Sequence, residues 1–126
     1  MSQFPADLRY APTHEWVREE ADGTITVGIT DHAQDELGDI VFLELPQVGR
    51  RLTGGEPCAV IESVKTASDL HAPLAGEVVA VNDAVTDSPE RVNEAPYEAW
   101  LFRIRPDALD LSGLLDADGY RRGIGA

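Results

Sequence analysis

Apolar stretches of strand length alternate with turn-forming residues along this sequence, and this pattern predicts a mostly β fold. Residues 15–18 and 24–29 flank an Ala-Asp-Gly turn signal and predict a β-hairpin whose second strand, with alternating polar and apolar side chains, is half-buried. Residues 40–45 are denser in apolar side chains and end at Pro46, which predicts a central strand. The other predicted strands cover residues 59–64, 76–81 and 100–104.

Helical signals are few and short. Asp31 is predicted to cap a helix over residues 32–37, which Gly38 would end in a left-handed conformation. Pro89 is predicted at the first position of a second short helix. A leucine-rich helix is predicted to begin around Ser112 and to cover the β core.

The length of 126 residues suits one domain. We predict a single domain over residues 1–126, with a core of about 10–105 and a C-terminal helical segment of about 107–122. No apolar stretch approaches the ~20 residues that cross a bilayer. Because residues 1–12 resemble no targeting segment and Cys58 is the only cysteine, we expect a cytoplasmic protein of a bacterial cell.

The chain is strongly acidic, with 10 basic and 23 acidic residues and a formal net charge of −13. Phosphate backbones and anionic lipid surfaces repel such a chain, so nucleic acids and membranes are poor partners. Protein partners are expected to attract it through basic patches. No cluster of Cys and His has the spacing of a metal site, and we predict no bound metal.

Lys65 is the only lysine, because the other nine basic residues are arginine. A lysine amine can lose its proton and be acylated, whereas the guanidinium of arginine stays charged. The residues around Lys65 predict a β-hairpin with this lysine at its tip. No Gly or Asn lies at the bend, which favours a type I turn over a primed turn. Ser63, Ala67 and Ser68 are small and leave the tip accessible to a modifying enzyme.

Residues 62–69, Glu-Ser-Val-Lys-Thr-Ala-Ser-Asp, closely resemble the lipoyl-attachment segment of the glycine cleavage system H protein family. The resemblance continues through Ala72-Pro73 and Gly76-Glu77-Val78 and extends from Tyr10 to the C-terminal helix. Thr66 stands where alanine is also common in the family, and Glu98-Ala99 replaces a step that usually contains glycine. The family's other signatures appear in the family's order at residues 10–17, 27–34, 37–46, Asn82, Ser88-Pro89, Asn93, Pro96-Tyr97 and Trp100-Leu101.

The resemblance implies a lipoyl-domain-like β-sandwich or flattened barrel (a barrel-sandwich hybrid) with short helices and a C-terminal helix. It also implies a non-catalytic, monomeric carrier with lipoic acid amide-linked to Lys65. The lipoamide arm would carry an aminomethyl group from a pyridoxal-phosphate glycine decarboxylase to a tetrahydrofolate-dependent aminomethyltransferase. Dihydrolipoamide dehydrogenase would reoxidise the arm, and a lipoate ligase or a lipoyl or octanoyl transferase would attach it.

The same resemblance assigns the site residues. A surface cleft that shields the loaded arm from water needs acceptors for a cationic amine, and the matching positions are Thr13, Glu15, His32 and Asp69. Glu15 and Asp69 can equally be solvated surface carboxylates, and His14 and His32 are better explained as turn or cap residues. The residues assigned to lipoyl attachment are Glu62, Ser63, Val64, Lys65, Thr66, Ala67 and Ser68.

Three alternatives remain. A biotin carrier would use a similar lysine, but that lysine is typically bracketed by methionines, whereas Val64 and Thr66 flank Lys65 here. An acidic interaction module would leave Lys65 an ordinary exposed residue. An enzyme is the weakest alternative, because Ser63 and Ser68 have no histidine and carboxylate at fixed spacing. His71 is expected to be a strand residue facing solvent.

Overall fold

Two antiparallel β-sheets and four short helices make up the structure, a computed structural model that describes residues 4–125. The helices are α1 (Asp31–Leu37), α2 (Asp83–Asp87), α3 (Glu90–Glu94) and α4 (Ala117–Gly123). The strands are β1 (Arg9–Tyr10), β2 (Glu15–Glu19), β3 (Ile25–Ile29), β4 (Ile40–Glu44), β5 (Arg51–Leu52), β6 (Pro57–Ser63), β7 (Ala67–His71), β8 (Gly76–Val81) and β9 (Phe102–Pro106).

The larger sheet has the strand order β1-β2-β3-β9-β8-β5 and the smaller one has the order β4-β6-β7. Apolar side chains from both sheets form one buried cluster, to which β3, β6 and β9 all contribute. The two sheets therefore pack as a sandwich rather than closing into a barrel, and the predicted mostly β fold is confirmed. The predicted domain limits of 1–126 include residues 1–3 and 126, which lie outside the described residues.

The predicted hairpin forms between β2 and β3, but its second strand is not half-buried. All five residues of β3 are buried. The polar side is covered because Thr26 Oγ1 donates to Glu20 Oε2 at 2.6 Å and accepts from Arg103 Nε at 3.0 Å. The threonine is thus satisfied by neighbouring side chains instead of by water.

β4 is an edge strand, not the central strand that its apolar sequence predicts. It pairs with β6, and its register shifts between Ile40 and Phe42. Only Ile40 and Leu43 are buried, whereas Val41 and Phe42 are 56% and 46% exposed. The prediction was wrong because apolar density indicates burial only when both faces of a strand are covered.

Helix α1 begins one residue earlier than predicted. Thr30, not Asp31, is the N-cap, and its Oγ1 accepts a hydrogen bond from Ala33 N at 3.1 Å. Asp31 instead accepts from Gln34 Nε2 at 2.8 Å. The predicted stop at Gly38 is confirmed, because its φ of 79° lies in the region that favours glycine.

The remaining helices differ more from the predictions. α2, whose N-cap is Asn82, was not predicted, and α3 starts at Glu90 with Pro89 as its N-cap. α4 starts at Ala117 rather than around Ser112, so most of the predicted segment of 107–122 is not helical.

The late start of α4 has a structural cause. Leu115 and Tyr10 exchange two backbone hydrogen bonds, at 2.8 and 2.7 Å, which hold the chain extended just before the helix. Asp116 then caps α4 by accepting from Gly119 N at 2.7 Å. Tyr120 on α4 stacks on Tyr10 with ring centroids 5.0 Å apart, so the C-terminal helix packs against the first strand.

One carboxylate lies inside the fold and connects the two sheets. Glu15 on β2 is fully buried. Its Oε2 accepts from the backbone N of His71 on β7 at 2.9 Å, and its Oε1 accepts from Thr13 Oγ1. Burial raises the pKa of the Glu15 carboxyl, although these two hydrogen bonds act in the opposite direction.

Gly76 on β8 has no room for a side chain, because a Cβ there would overlap the Arg105 carbonyl oxygen and lie 2.8 Å from Pro106 Cα. Both atoms belong to the backbone of β9 and can move only with the sheet. We expect Gly76→Ala to lower the free energy of unfolding by about 1–3 kcal/mol in urea titrations. Gly113→Ala is the matched control, since nothing lies within 4 Å of its Cβ position. Equal stabilities of the two variants would contradict this packing.

The raised pKa of Glu15 makes stability depend on pH. A carboxyl with a higher pKa in the folded state stabilises the fold most when protonated, and this contribution is lost as pH rises from its ordinary value of 4.5 through the folded value. We therefore expect wild type to lose stability relative to Glu15→Gln as pH rises above 4.5, measured by urea unfolding at several pH values. Glu19→Gln, at the exposed end of β2, should show no such trend. A pH-independent difference for Glu15→Gln would contradict the inference.

Candidate functional site

Lys65 lies at the tip of the β6–β7 hairpin, as predicted. Ser63 N donates to Thr66 O at 2.8 Å and closes a two-residue loop of Val64 and Lys65. The Ser63 hydroxyl oxygen also accepts from Lys65 N at 3.1 Å and from Thr66 N at 3.2 Å. Within residues 4–125, His14 alone among non-glycine residues has a positive φ, so the turn is not of a primed type. The prediction of an unprimed turn is confirmed.

A backbone contact holds this turn against the end of α1. Val64 N donates to Asp39 O at 3.0 Å. The Lys65 side chain then runs over Gly38, where a Cβ would lie 3.0 Å from Lys65 Cε and 3.6 Å from Nζ. Gly38 therefore serves two purposes: it adopts the positive φ that ends the helix, and it leaves space for the stem of the lysine.

The amine of Lys65 is accessible. Lys65 is exposed, and no carboxylate of residues 4–125 forms an ion pair with it. The turn also presents Val64, which is 68% exposed. An approaching enzyme can therefore reach the exposed side chain of Lys65. Of the residues assigned to attachment, Glu62, Thr66, Ala67 and Ser68 are exposed and Ser63 is half-buried.

A cavity of about 180 Å³ lies between α1 and β7. Its lining includes Leu37, which immediately precedes Gly38, so the cavity starts close to the stem of Lys65. Its volume corresponds to about six water molecules, which is enough for a short aliphatic chain but small for a drug-sized ligand. Its lining also includes Thr13, His32, Glu36, Ser68 and Asp69.

The wall of the cavity near β2 is a hydrogen-bonded network that extends to the C-terminal helix. His14 Nδ1 lies 2.7 Å from the Tyr120 hydroxyl, which lies 2.8 Å from Thr30 Oγ1. Burial and the nearby His32 lower the pKa of His14, so this ring is neutral at pH 7. His32 Nε2 lies 2.6 Å from Glu36 Oε1, one turn further along α1.

The predicted cleft residues divide into two groups. Thr13, His32 and Asp69 line the same cavity, whereas Glu15 is not part of the lining. Glu15 lies behind Thr13, fully buried and hydrogen-bonded, so the alternative of a solvated carboxylate is wrong for this residue. His71 is also not the solvent-facing residue expected: it is half-buried, and its unpartnered Nδ1 lies 3.8 Å from Glu15 Oε2.

Two of the titratable lining residues were not assigned to the cleft from sequence. Glu36 could have been found from its spacing, because it follows His32 by four residues and shares its helix face. His14 was interpreted only as a turn residue. Its position in the wall depends on Tyr120, which is distant in sequence, so no local signal indicated it.

A larger cavity, of about 560 Å³, lies elsewhere. It lies against α2, α3 and the turn that follows, and it shares no lining residue with the cavity beside Lys65. Within residues 4–125, no group of three or more His, Cys, Asp or Glu side chains is arranged to hold a metal. None of the helices in this part of the chain has the length and apolar character needed to cross a membrane.

Known proteins resemble this chain over nearly its whole length. The sequence model of the family described as "Glycine cleavage H-protein" matches residues 8–124. The glycine cleavage system H protein of Methylococcus capsulatus is 64% identical over 122 residues, covering 96% of each chain. That of Azoarcus sp. is 64% identical over 121 residues, covering 95% of each.

A solved structure agrees with these sequence matches. The crystal structure of a glycine cleavage system H protein from Mycobacterium marinum superposes with a TM-score of 0.90 at 42% sequence identity. The match covers 98% of this chain and 100% of that one. Sequence and fold thus agree, and the chain belongs to the glycine cleavage H-protein family, the lipoyl carriers of the glycine cleavage system.

Proposed function

We propose that Lys65 is the residue to which lipoic acid is attached, and that the chain acts as a non-catalytic, monomeric carrier. The observation that carries this proposal is the position of the only lysine: an exposed amine at a hairpin tip, without an ion pair in the described part of the chain. An arginine there could not be acylated, whereas a lysine can. A biotin carrier remains disfavoured by the residues flanking Lys65 and by the family membership.

Attachment requires an activated acyl donor, either an acyl adenylate or an acyl thioester, supplied by a lipoate ligase or a lipoyl or octanoyl transferase. The neutral Nζ of Lys65 forms an amide bond with the acyl carbonyl carbon. The bond from that carbon to the phosphate or thiolate breaks, and the amine releases one proton. The chain contributes an accessible nucleophile on a turn that the Ser63 hydrogen bonds keep in one conformation.

Lipoate, when bound, supplies a dithiolane that can accept and release an aminomethyl group through sulfur. The chain's residues supply tethering, which keeps this group at a high effective concentration near whichever enzyme is docked. The proposed partners are the pyridoxal-phosphate glycine decarboxylase, the tetrahydrofolate-dependent aminomethyltransferase and dihydrolipoamide dehydrogenase. The bacterial relatives support a cytoplasmic location in a bacterial cell.

The cavity beside Lys65 is suited to hold the loaded arm. Its apolar residues, among them Ile29 and Leu37, suit an aliphatic chain, and Thr13 and Asp69 offer acceptors to a terminal amine. The lowered pKa of His14 keeps that ring neutral, so it does not repel a cation. Glu15 acts indirectly by accepting the hydroxyl hydrogen of Thr13 and orienting that side chain.

The attachment site is tested with a lysine-specific endoprotease, since the chain contains one lysine. We expect unmodified protein to be cut once, after Lys65, and lipoylated protein to resist cleavage. Acylation also changes the formal charge from −13 to −14, so anion exchange should separate the two forms. Lys65→Arg should fold normally but accept no lipoyl group and support no glycine cleavage. Complete cleavage of protein isolated from lipoate-producing cells would contradict a carrier role.

The cleft is tested with Asp69→Asn, which removes the negative charge but keeps the shape of the side chain. We expect the loaded arm to lose its aminomethyl group to water roughly three- to tenfold faster, because a charge-assisted hydrogen bond is lost. The measurement is formaldehyde release from loaded protein without partner enzymes. Asp83→Asn, on exposed α2, is the control and should match wild type. Equal rates for the two variants would remove Asp69 from the cleft proposal.

A further inference from the structure

Exposed apolar side chains concentrate beside Lys65. Among residues 4–125, five large hydrophobic residues are exposed. Val41 and Phe42 lie on β4, and Val64 lies in the turn with Lys65. The other two, Val48 and Leu109, lie in separate loops and have no such neighbours in their elements. Single exposed apolar residues are ordinary, but a group of three beside a modification site requires an explanation.

The strand registers show which face of the small sheet carries Phe42. Phe42 on β4, Glu62 on β6 and Ala67 on β7 are paired in one row across the sheet. The next row contains Leu43 and Ile61, both buried in the core. Because successive side chains of a strand point to opposite faces, the row of Phe42 lies on the face directed away from the core. The registers assign Glu44, Val60 and Asp69 to the same face.

We call this face the outer face; it is formed by Phe42, Glu44, Val60, Glu62, Ala67 and Asp69. All of its charged side chains are acidic. β4, β6 and β7 contain no arginine or lysine, whereas five of the nine arginines lie on strands of the larger sheet. The outer face therefore presents an aromatic ring beside three carboxylates, with Lys65 at its end.

We propose that the outer face is the docking surface for the enzyme that acylates Lys65. The complementary surface on that enzyme is an apolar contact for the Phe42 ring, surrounded by arginine or lysine side chains that meet Glu44 and Glu62. The inference rests on the proposed function of Lys65 and adds to it the surface by which the modifying enzyme recognises the chain.

The acylating enzyme fits this surface because its target, the Lys65 amine, can be reached only close to the turn. The amine of an unmodified lysine lies one side chain away from the backbone, so the enzyme must approach the turn itself and contact what surrounds it. A second copy of this chain fits poorly, because two outer faces would bring six carboxylates together without a cation. Anionic membranes and nucleic acids are repelled for the same reason.

The test measures steady-state acylation by a lipoate–protein ligase with lipoate and ATP. We expect Phe42→Ser to raise the KM for the carrier about tenfold and to change kcat less than twofold. The reason is that the enzyme loses its apolar contact with the exposed half of the phenyl ring. Phe42→Leu keeps an apolar side chain and should recover most of the loss. Glu44→Gln should raise KM less and weaken its increase with ionic strength.

Leu109→Ser is the matched control, because Leu109 is 42% exposed and lies in a distant loop. We expect wild-type kinetics for it. A second measurement separates docking from chemistry: Lys65→Arg should inhibit acylation of wild type competitively, and adding Phe42→Ser to it should raise the inhibition constant about tenfold. If Phe42→Ser matches Leu109→Ser in both assays, the docking surface is overturned while attachment to Lys65 stands. If the ligase does not acylate wild type at Lys65, both proposals are overturned.

Discussion

The hydrogen bond from Val64 N to Asp39 O determines where the reactive lysine can be. Without it, a two-residue turn at the end of a hairpin would be free to bend away from the sandwich. With it, the turn is joined to the segment that follows α1, and the lysine stem lies over Gly38. The amine remains accessible while its backbone is held at a defined distance from α1. Attachment needs the accessible amine, and delivery of an arm to a cleft needs the backbone position that is fixed relative to α1.

The small sheet contributes residues to both the cavity and the outer face. Ile61 points into the core beside the cavity, whereas Glu62, its neighbour in sequence, lies on the outer face. One strand thus contributes to both surfaces because its side chains alternate. Asp69 on β7 belongs to both surfaces, because it is paired with Val60 and also lines the cavity, so recognition of the carrier and storage of the arm share this residue.

Local chemistry made part of this structure predictable. The β2–β3 hairpin follows from a turn signal between two strand sequences, and the Lys65 turn follows from residues that are adjacent in the chain. The edge position of β4 was not predictable in the same way, because it depends on which distant strands pair. The predicted start of α4 was wrong for a related reason: Leu115 is held extended by Tyr10, which lies more than a hundred residues earlier in the chain. Secondary-structure propensity is a property of one segment, whereas the edge position of β4 and the start of α4 depend on the distant segments with which they pair.

The candidate site also contains one residue that the sequence identifies by itself and others whose positions depend on distant contacts. Lys65 is distinguished by composition alone, since it is the only lysine in a chain that otherwise uses arginine. The cleft residues were assigned through family resemblance, and that route placed Glu15 among groups that touch the arm. The structure instead buries Glu15 between the sheets, where it accepts from Thr13 and His71. A carboxylate in that position acts on the arm only through Thr13, because it is fully buried and both of its oxygens already accept hydrogen bonds. Its contribution to the cleft is therefore the orientation of a hydroxyl group, and its contribution to the fold is a link between the two sheets.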